Sequence, residues 1–167
     1  LSSSSAASDV YKRQRPHCHL HATDISRKAL EIAAENAACS EQQVNWHEGD
    51  WFAALAGETA DPNFDIIVSN PPYIGLKENG LTDPELQFEP DLALYSGDDG
   101  LNAIRAIVQN APQHLNAEGW LLLEHGFMQG EAIRALLADH RFVEISTMLD
   151  LAGLPRVTSG RMAPRVH

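Results

Sequence analysis

Asn70-Pro71-Pro72-Tyr73 is the stretch of this chain whose residue types and order most directly suggest chemistry. The Asn side-chain oxygen and the backbone carbonyl of Pro71 are two acceptors, spaced to take both hydrogens of one planar NH2 group. An amide nitrogen of that kind is a poor nucleophile, because its lone pair is delocalised into the carbonyl. Alkylating it requires holding the group in line with the electrophile and accepting its hydrogens as charge builds on nitrogen. The prolines fix φ, and Pro72 forces Pro71 towards an extended shape, so the carbonyl is aimed in advance. Tyr73 offers a ring to lie against the planar group. No strong general base is needed, because the proton becomes acidic as the N–C bond forms. The plain alternative is a Pro-Pro turn after a strand. A chance Asp, Asn or Ser followed by Pro-Pro and an aromatic occurs on the order of 1 in 200 in a chain of this size. Its place directly after Ile66-Ile67-Val68-Ser69 counts further against accident.

Three other positions carry candidate groups. The Asp24 carboxylate follows a strand and can accept two hydrogen bonds from a diol; the plain alternative, which has the edge on this residue alone, is an acid favoured by a helix N-terminus. Asp50-Trp51 follows another strand, where an indole beside a polar group suits an adenine. Trp51 packing into the core with Phe52 is the alternative there. Glu124 also falls just after a strand. His17, His19 and His21 alternate along one strand face, but no partner set has metal-ligand spacing, so no metal is expected. Asp83, Glu85, Glu89, Asp91, Asp98 and Asp99 make the stretch after the Pro-Pro motif acidic, either as a solvated loop or as a rim for a basic partner.

These groups need elements to carry them. His17 to Thr23 reads as a strand ending at Asp24. Ser26 can cap a helix running to about Ala38, with Ala29, Leu30, Ile32, Ala33 and Ala37 as its apolar stripe. Val44 to Glu48 is a short strand, and Asp65 to Ser69 an apolar strand of the kind buried on both faces. A long loop from Asn70 to Asp99 follows, of a length that is usually functional. Leu101 to Leu115 is helical, with a break expected at Pro112. Gly119 to Glu124 is a second buried strand, Gln129 to Asp139 a helix, and Phe142 to Leu149 and Pro155 to Met162 the last two strands. This alternation implies an α/β, Rossmann-like fold whose mostly parallel sheet carries helices on both faces. Ligands bind beyond the carboxyl ends of such strands, where Asp24, Asp50-Trp51, Asn70 and Glu124 all fall.

The bulk properties narrow the partners. A length of 167 residues suffices for one domain with a core, and a net charge of −11 argues against a phosphate-backbone surface. The two cysteines, Cys18 and Cys39, form no C-x-x-C, so a reducing, cytoplasmic setting is expected, and no apolar run approaches a membrane span. Leu1 to Gln14 is a Ser/Ala tract followed by Asp9-Val-Tyr-Lys-Arg-Gln14, which reads as the translation of a sequencing adapter. It is taken as a non-native or disordered tail, with a partial catalytic domain from Arg15 to His167.

Asp65-Ile-Ile-Val-Ser-Asn-Pro-Pro-Tyr-Ile74 resembles the motif of amino-methyltransferases that act on planar amides and adenines. Gly49-Asp-Trp-Phe52, Phe88-Glu-Pro90, Leu92-Ala-Leu94, Gly100-Leu101, Leu121-Leu-Leu-Glu-His-Gly126, Gln129-Gly130, Arg156-Val-Thr158 and Gly160-Arg161 are similar, in order, to the release-factor glutamine methyltransferases, the HemK or PrmC family. The resemblance implies a class I S-adenosylmethionine-dependent methyltransferase sheet with an antiparallel last strand. It implies N5-methylation of the glutamine in the Gly-Gly-Gln motif of peptide chain release factors. By position, Asp24 would hold the ribose, Asp50 and Trp51 the adenine, and Asn70 both cofactor and substrate. Asn70, Pro71, Pro72 and Tyr73 would receive the glutamine, with Glu89 and Glu124 supporting the pocket. The family's D-x-G-x-G-x-G loop has no match here, nor has its N-terminal helical domain. The expectation is therefore a fragment, lacking the first strand, that binds S-adenosylmethionine weakly or not at all. The rivals are an adenine-N6 nucleic-acid methyltransferase, opposed by the charge, and a ribosomal-protein glutamine methyltransferase, opposed by Glu124-His125-Gly126. A non-catalytic binding module with this fold is the third.

Overall fold

A computed structural model describes residues 18–38, 43–56, 63–76 and 91–164. The chain divides into two compact units, Leu1–Pro62 and Asn63–His167.

In the first unit, β1 (Leu20–Asp24) pairs in parallel with β2 (Val44–Glu48), Leu20 opposite Val44 and Asp24 opposite Glu48. Helix α1 (Arg27–Ala38) connects them. Its start is built as the sequence suggests. Ser26 Oγ accepts the Ala29 N–H at 3.3 Å, and the Ser26 N–H donates to Asp24 Oδ1 at 2.8 Å. Ala37 is buried, whereas Ile32 is largely exposed. At 100° per residue, Ala29, Leu30, Ala33 and Ala37 share one arc and Ile32 falls roughly 60° outside it. A 3-10 turn, Trp51–Leu55, follows β2 and packs beside β1. His21 Nδ1 lies 3.0 Å from His47 Nε2 with the rings stacked, so this histidine of the alternating set meets another histidine. His17 lies outside the described residues.

The second unit is a four-stranded sheet in the order β3 (Phe64–Ser69), β4 (Leu115–Glu124), β6 (Pro155–Met162), β5 (Phe142–Leu149). β3 and β4 are parallel, and β6 runs antiparallel to both β4 and β5. The last strand thus reverses direction and inserts between its predecessors, which makes the β5–β6 connection a hairpin. Helix α3 (Asn102–His114) connects β3 to β4, helix α4 (Gly130–Asp139) connects β4 to β5, and both supply core residues. Ile104, Ile107 and Val108 of α3 and Ile133 and Leu137 of α4 are fully buried, together with Leu121 and Leu123 of β4. A short helix, α2 (Asp91–Leu94), precedes α3.

Three expectations are revised. β3 is not buried on both faces: Ile66 and Val68, which share a face, are 54% and 53% exposed. The stretch after Asn70 is not all loop, because α2 and a parallel bridge between Ile74 and Tyr95 organise it. α3 also continues through Pro112 to His114. The missing N–H and the clash with the preceding turn disturb only the last helical turn there, so the helix ends two residues later rather than breaking. Among the described residues, no helix is long and apolar enough to cross a membrane.

Candidate active site

The predicted residues fall in two groups, one in each unit. In the first unit, Asp24 is the last residue of β1. One carboxylate oxygen, Oδ1, accepts the Ser26 N–H, just ahead of α1. The Asp24 carbonyl accepts the Gly49 N–H at 3.0 Å, which ties the loop after β2 to the end of β1. Gly49 has φ +153, and a Cβ there would approach the Ala54 Cα to 2.9 Å, so the tie depends on glycine. Asp50 is exposed and makes no side-chain capping bond to the 3-10 turn. Trp51 is half-buried with φ +46, a left-handed conformation rare for a bulky residue. Such strain persists only where surrounding structure enforces it, and it gathers at ligand sites. Asp24 and the Gly49–Trp51 loop are thus brought together.

In the second unit, Asn70 directly follows β3 and is exposed, Pro71 is fully buried, and Pro72 and Tyr73 are half-buried. The chain then joins a short parallel ladder. The Ile74 N–H donates to the Leu94 carbonyl at 2.9 Å, the Ser96 N–H to the Ile74 carbonyl at 3.0 Å, and the Leu76 N–H to the Gly97 carbonyl at 2.9 Å. Ser96, itself buried, accepts the Ala103 N–H at 2.7 Å and so caps α3. Asp99 accepts the Leu101 N–H and holds Arg105 in a two-point ion pair. The guanidinium, then the Leu101 N–H, bring its carboxyl down to about 2.

Two glycines and a glutamine close this frame. Gly100 has φ +74, and a Cβ there would come within 2.1 Å of the Tyr73 carbonyl oxygen. Gln129 reaches the same oxygen: its Nε2 donates to the Tyr73 carbonyl at 2.9 Å and to the Asp99 carbonyl at 3.2 Å. Its Oε1 accepts the Gly126 N–H at 2.9 Å. Glu124 ends β4 opposite Val157, two residues before this junction. Glu89 lies outside the described residues.

His125 is fully buried. Burial, the largest influence, lowers its pKa and keeps the ring neutral. Nδ1 faces the Gly126 carbonyl at 2.8 Å, and a carbonyl only accepts, so Nδ1 carries the proton. Nε2 then accepts from Thr158 Oγ1 at 2.8 Å, Thr158 accepts from Thr147 at 2.9 Å, and Thr147 accepts from the Arg134 guanidinium at 2.8 Å. A pure donor at one end and a pure acceptor at the other fix the direction of every bond between them.

Sequence reasoning singled out Gln129 and Gly100 only as points of family likeness. Gly126-x-x-Gln129 does have the spacing of a side chain reaching back three residues to an N–H, half of a capping box. Nothing local announces that its amide also spans to Tyr73.

The chain is similar to known proteins over most of its length. Residues 6–82 match the family described as "Methyltransferase small domain". The chain is 49% identical over 149 residues to the release factor glutamine methyltransferase of Xylella fastidiosa (strain Temecula1), covering 89% of this chain and 53% of that protein. The Neisseria gonorrhoeae protein of the same name is 45% identical over 89% of this chain and 54% of its own length. Among solved structures, a methyltransferase from Pyrococcus furiosus superposes with a TM-score of 0.65 at 15% identity, over 95% of this chain and 70% of that one, which speaks to the fold alone. The chain spans about half the length of the curated relatives it matches. It has the class I S-adenosylmethionine-dependent methyltransferase fold, and its sequence is similar to those of the release factor glutamine methyltransferases.

Proposed function

We propose that residues 15–167 are part of the catalytic domain of an enzyme that methylates the side-chain amide of the glutamine in the Gly-Gly-Gln motif of peptide chain release factors. The observation that carries this reading is the Asn70–Tyr73 segment: an exposed amide, then a fully buried proline, held rigidly after a parallel strand. The relatives' names support the substrate. A translation factor as substrate puts the reaction in the cytoplasm, and a net charge of −11 suits a protein partner over a nucleic acid.

The donor set of the first unit fits the adenosine half of S-adenosylmethionine. A carboxylate at Asp24 suits a ribose diol, Asp50 a purine amine, and the Trp51 indole a purine face. When bound, that cofactor supplies an electrophilic methyl group on a sulfonium. The rest falls to the chain. The exposed Asn70 oxygen accepts one amide hydrogen and the Tyr73 ring lies against the amide plane; Pro71, fully buried here, must be uncovered as substrate enters for its carbonyl to accept the other. Holding both hydrogens fixes the nitrogen's position and its lone-pair direction, which is most of what a weak nucleophile requires. Acceptors held in place once substrate is bound stabilise the positive charge that builds on nitrogen. The proton then leaves to water. Glu89 and Glu124 support the pocket.

The test is transfer of label from S-adenosylmethionine to a release factor by the full-length parent, repeated with the Gly-Gly-Gln glutamine replaced. Replacement should abolish labelling; undiminished labelling would sink the substrate. Asn70→Ala should lower transfer by about 100-fold or more. Asn70 is exposed, so the variant should keep its fold, read as an unchanged circular-dichroism spectrum.

A further inference from the structure

We propose that Gln129 is a positioning residue that sets the place of the Asn70–Tyr73 segment, an inference that rests on reading that segment as the amide clamp. Gln129 uses its amide oxygen and both amide N–H groups on backbone atoms. One acceptor takes the Gly126 N–H, and the two N–H groups of one nitrogen go to the Tyr73 and Asp99 carbonyls. Those carbonyls belong to the two segments that form the ladder around Ile74 and Ser96. One amide therefore ties together the end of the clamp, the turn before α3 and the loop after β4.

The side chain is itself held. The Gln129 N–H donates to the Gly126 carbonyl at 2.9 Å, and the Gln129 carbonyl accepts the Ile133 N–H at 3.1 Å. The Gly126 carbonyl is also the terminus of the His125 chain, so the anchor reaches the buried sheet. Gly100 completes the arrangement, since any Cβ there would come within 2.7 Å of Gln129 Nε2 as well as striking the Tyr73 carbonyl. The chemistry demands an amide. A carboxylate would place negative charge against two carbonyl oxygens, and a thioether would offer them no donor.

Amide hydrogen exchange and methyl transfer test this with Q129M and Q129E. In Q129M the protection of the Ile74 and Leu76 N–H groups should fall by about 10-fold, while that of Leu121 to Leu123 is kept. In Q129E protection should be low at neutral pH and recover as the pH falls, because the neutral acid regains one donor. Asp99, already down at about 2, does not titrate over that range. A merely volume-filling role for Gln129 would give no such pH-dependent rescue. In transfer, kcat should fall by about 100-fold with KM for S-adenosylmethionine nearly unchanged. Unchanged protection in Q129M, a Q129E profile parallel to the parent's, or an unchanged kcat in a loosened Q129M overturns the proposal. A full-length parent that labels no glutamine sinks the clamp reading instead, and exchange still decides whether Gln129 positions the segment.

Discussion

Gly100→Ala separates two costs that usually arrive together. Gly100 and Gly153 both sit in the left-handed region, at φ +74 and φ +79. They differ in surroundings: a Cβ at Gly153 meets nothing within 4 Å among the described residues, whereas one at Gly100 would lie 2.1 Å from the Tyr73 oxygen. Gly153→Ala should therefore report the conformational penalty alone, about 1–2 kcal/mol. Gly100→Ala adds displacement of the Tyr73 carbonyl. That movement breaks the Gln129 bond, worth about 1 kcal/mol, and leaves half-buried groups imperfectly paired. The expected total is about 3 kcal/mol. Urea unfolding followed by circular dichroism measures both variants under the same conditions, and the difference between them isolates the close approach. Equal losses, within about 0.5 kcal/mol, would refute the claim that the turn before α3 presses on the clamp.

Two further outcomes follow from titration and one from tautomer. Asp99 has its pKa lowered from 3.8 to about 2 by Arg105, so the stability it contributes is present above 3.8 and is lost as pH falls towards 2. Arg105→Ala should flatten the acid limb of a stability–pH curve in that window, and an unchanged limb would count against the pairing. His125 has its pKa lowered by burial, so its contribution is full above 6.5 and is lost as pH falls through the lowered value. Nitrogen NMR of the His125 ring should find the proton on Nδ1; a ring protonated only at Nε2 would reverse the deduced bond directions.

The sequence made the elements and the clamp readable for different reasons. α1 and its Ser26 cap were legible because capping and periodicity are local. The clamp was legible because two consecutive prolines after an apolar run carry their own geometry. What lay beyond reach was long-range. Gln129 meets Tyr73 across 56 positions of chain, and no window of sequence contains both. The left-handed φ of Trp51 was hidden for another reason, since bulky residues so rarely adopt it that nothing in the residue type signals it. The exposure of Ile66 and Val68 shows the limit of reading burial from apolar runs: composition says which residues could be covered, and only the packing of elements decides which are.

The ordered bonds from Arg134 to Gly126 also act as a key to strand alignment. Thr158 sits opposite Thr147 on β5 and Leu123 on β4, and its hydroxyl reaches His125 only in that pairing. A slip of β6 by one residue would turn Thr158 to the other face of the sheet. A slip in one direction would bring Val157 to its place, which has no hydroxyl, and His125 would then keep a buried nitrogen with no donor, at a cost of about 1–3 kcal/mol. A slip in the other would bring Ser159 and break its pairing with Ser146. An apolar core accepts many alignments of a hairpin that differ little in energy. One neutral imidazole threaded through two hydroxyls makes the wrong ones expensive, and the junction beside Gly126 and Gln129 is built on the alignment it selects.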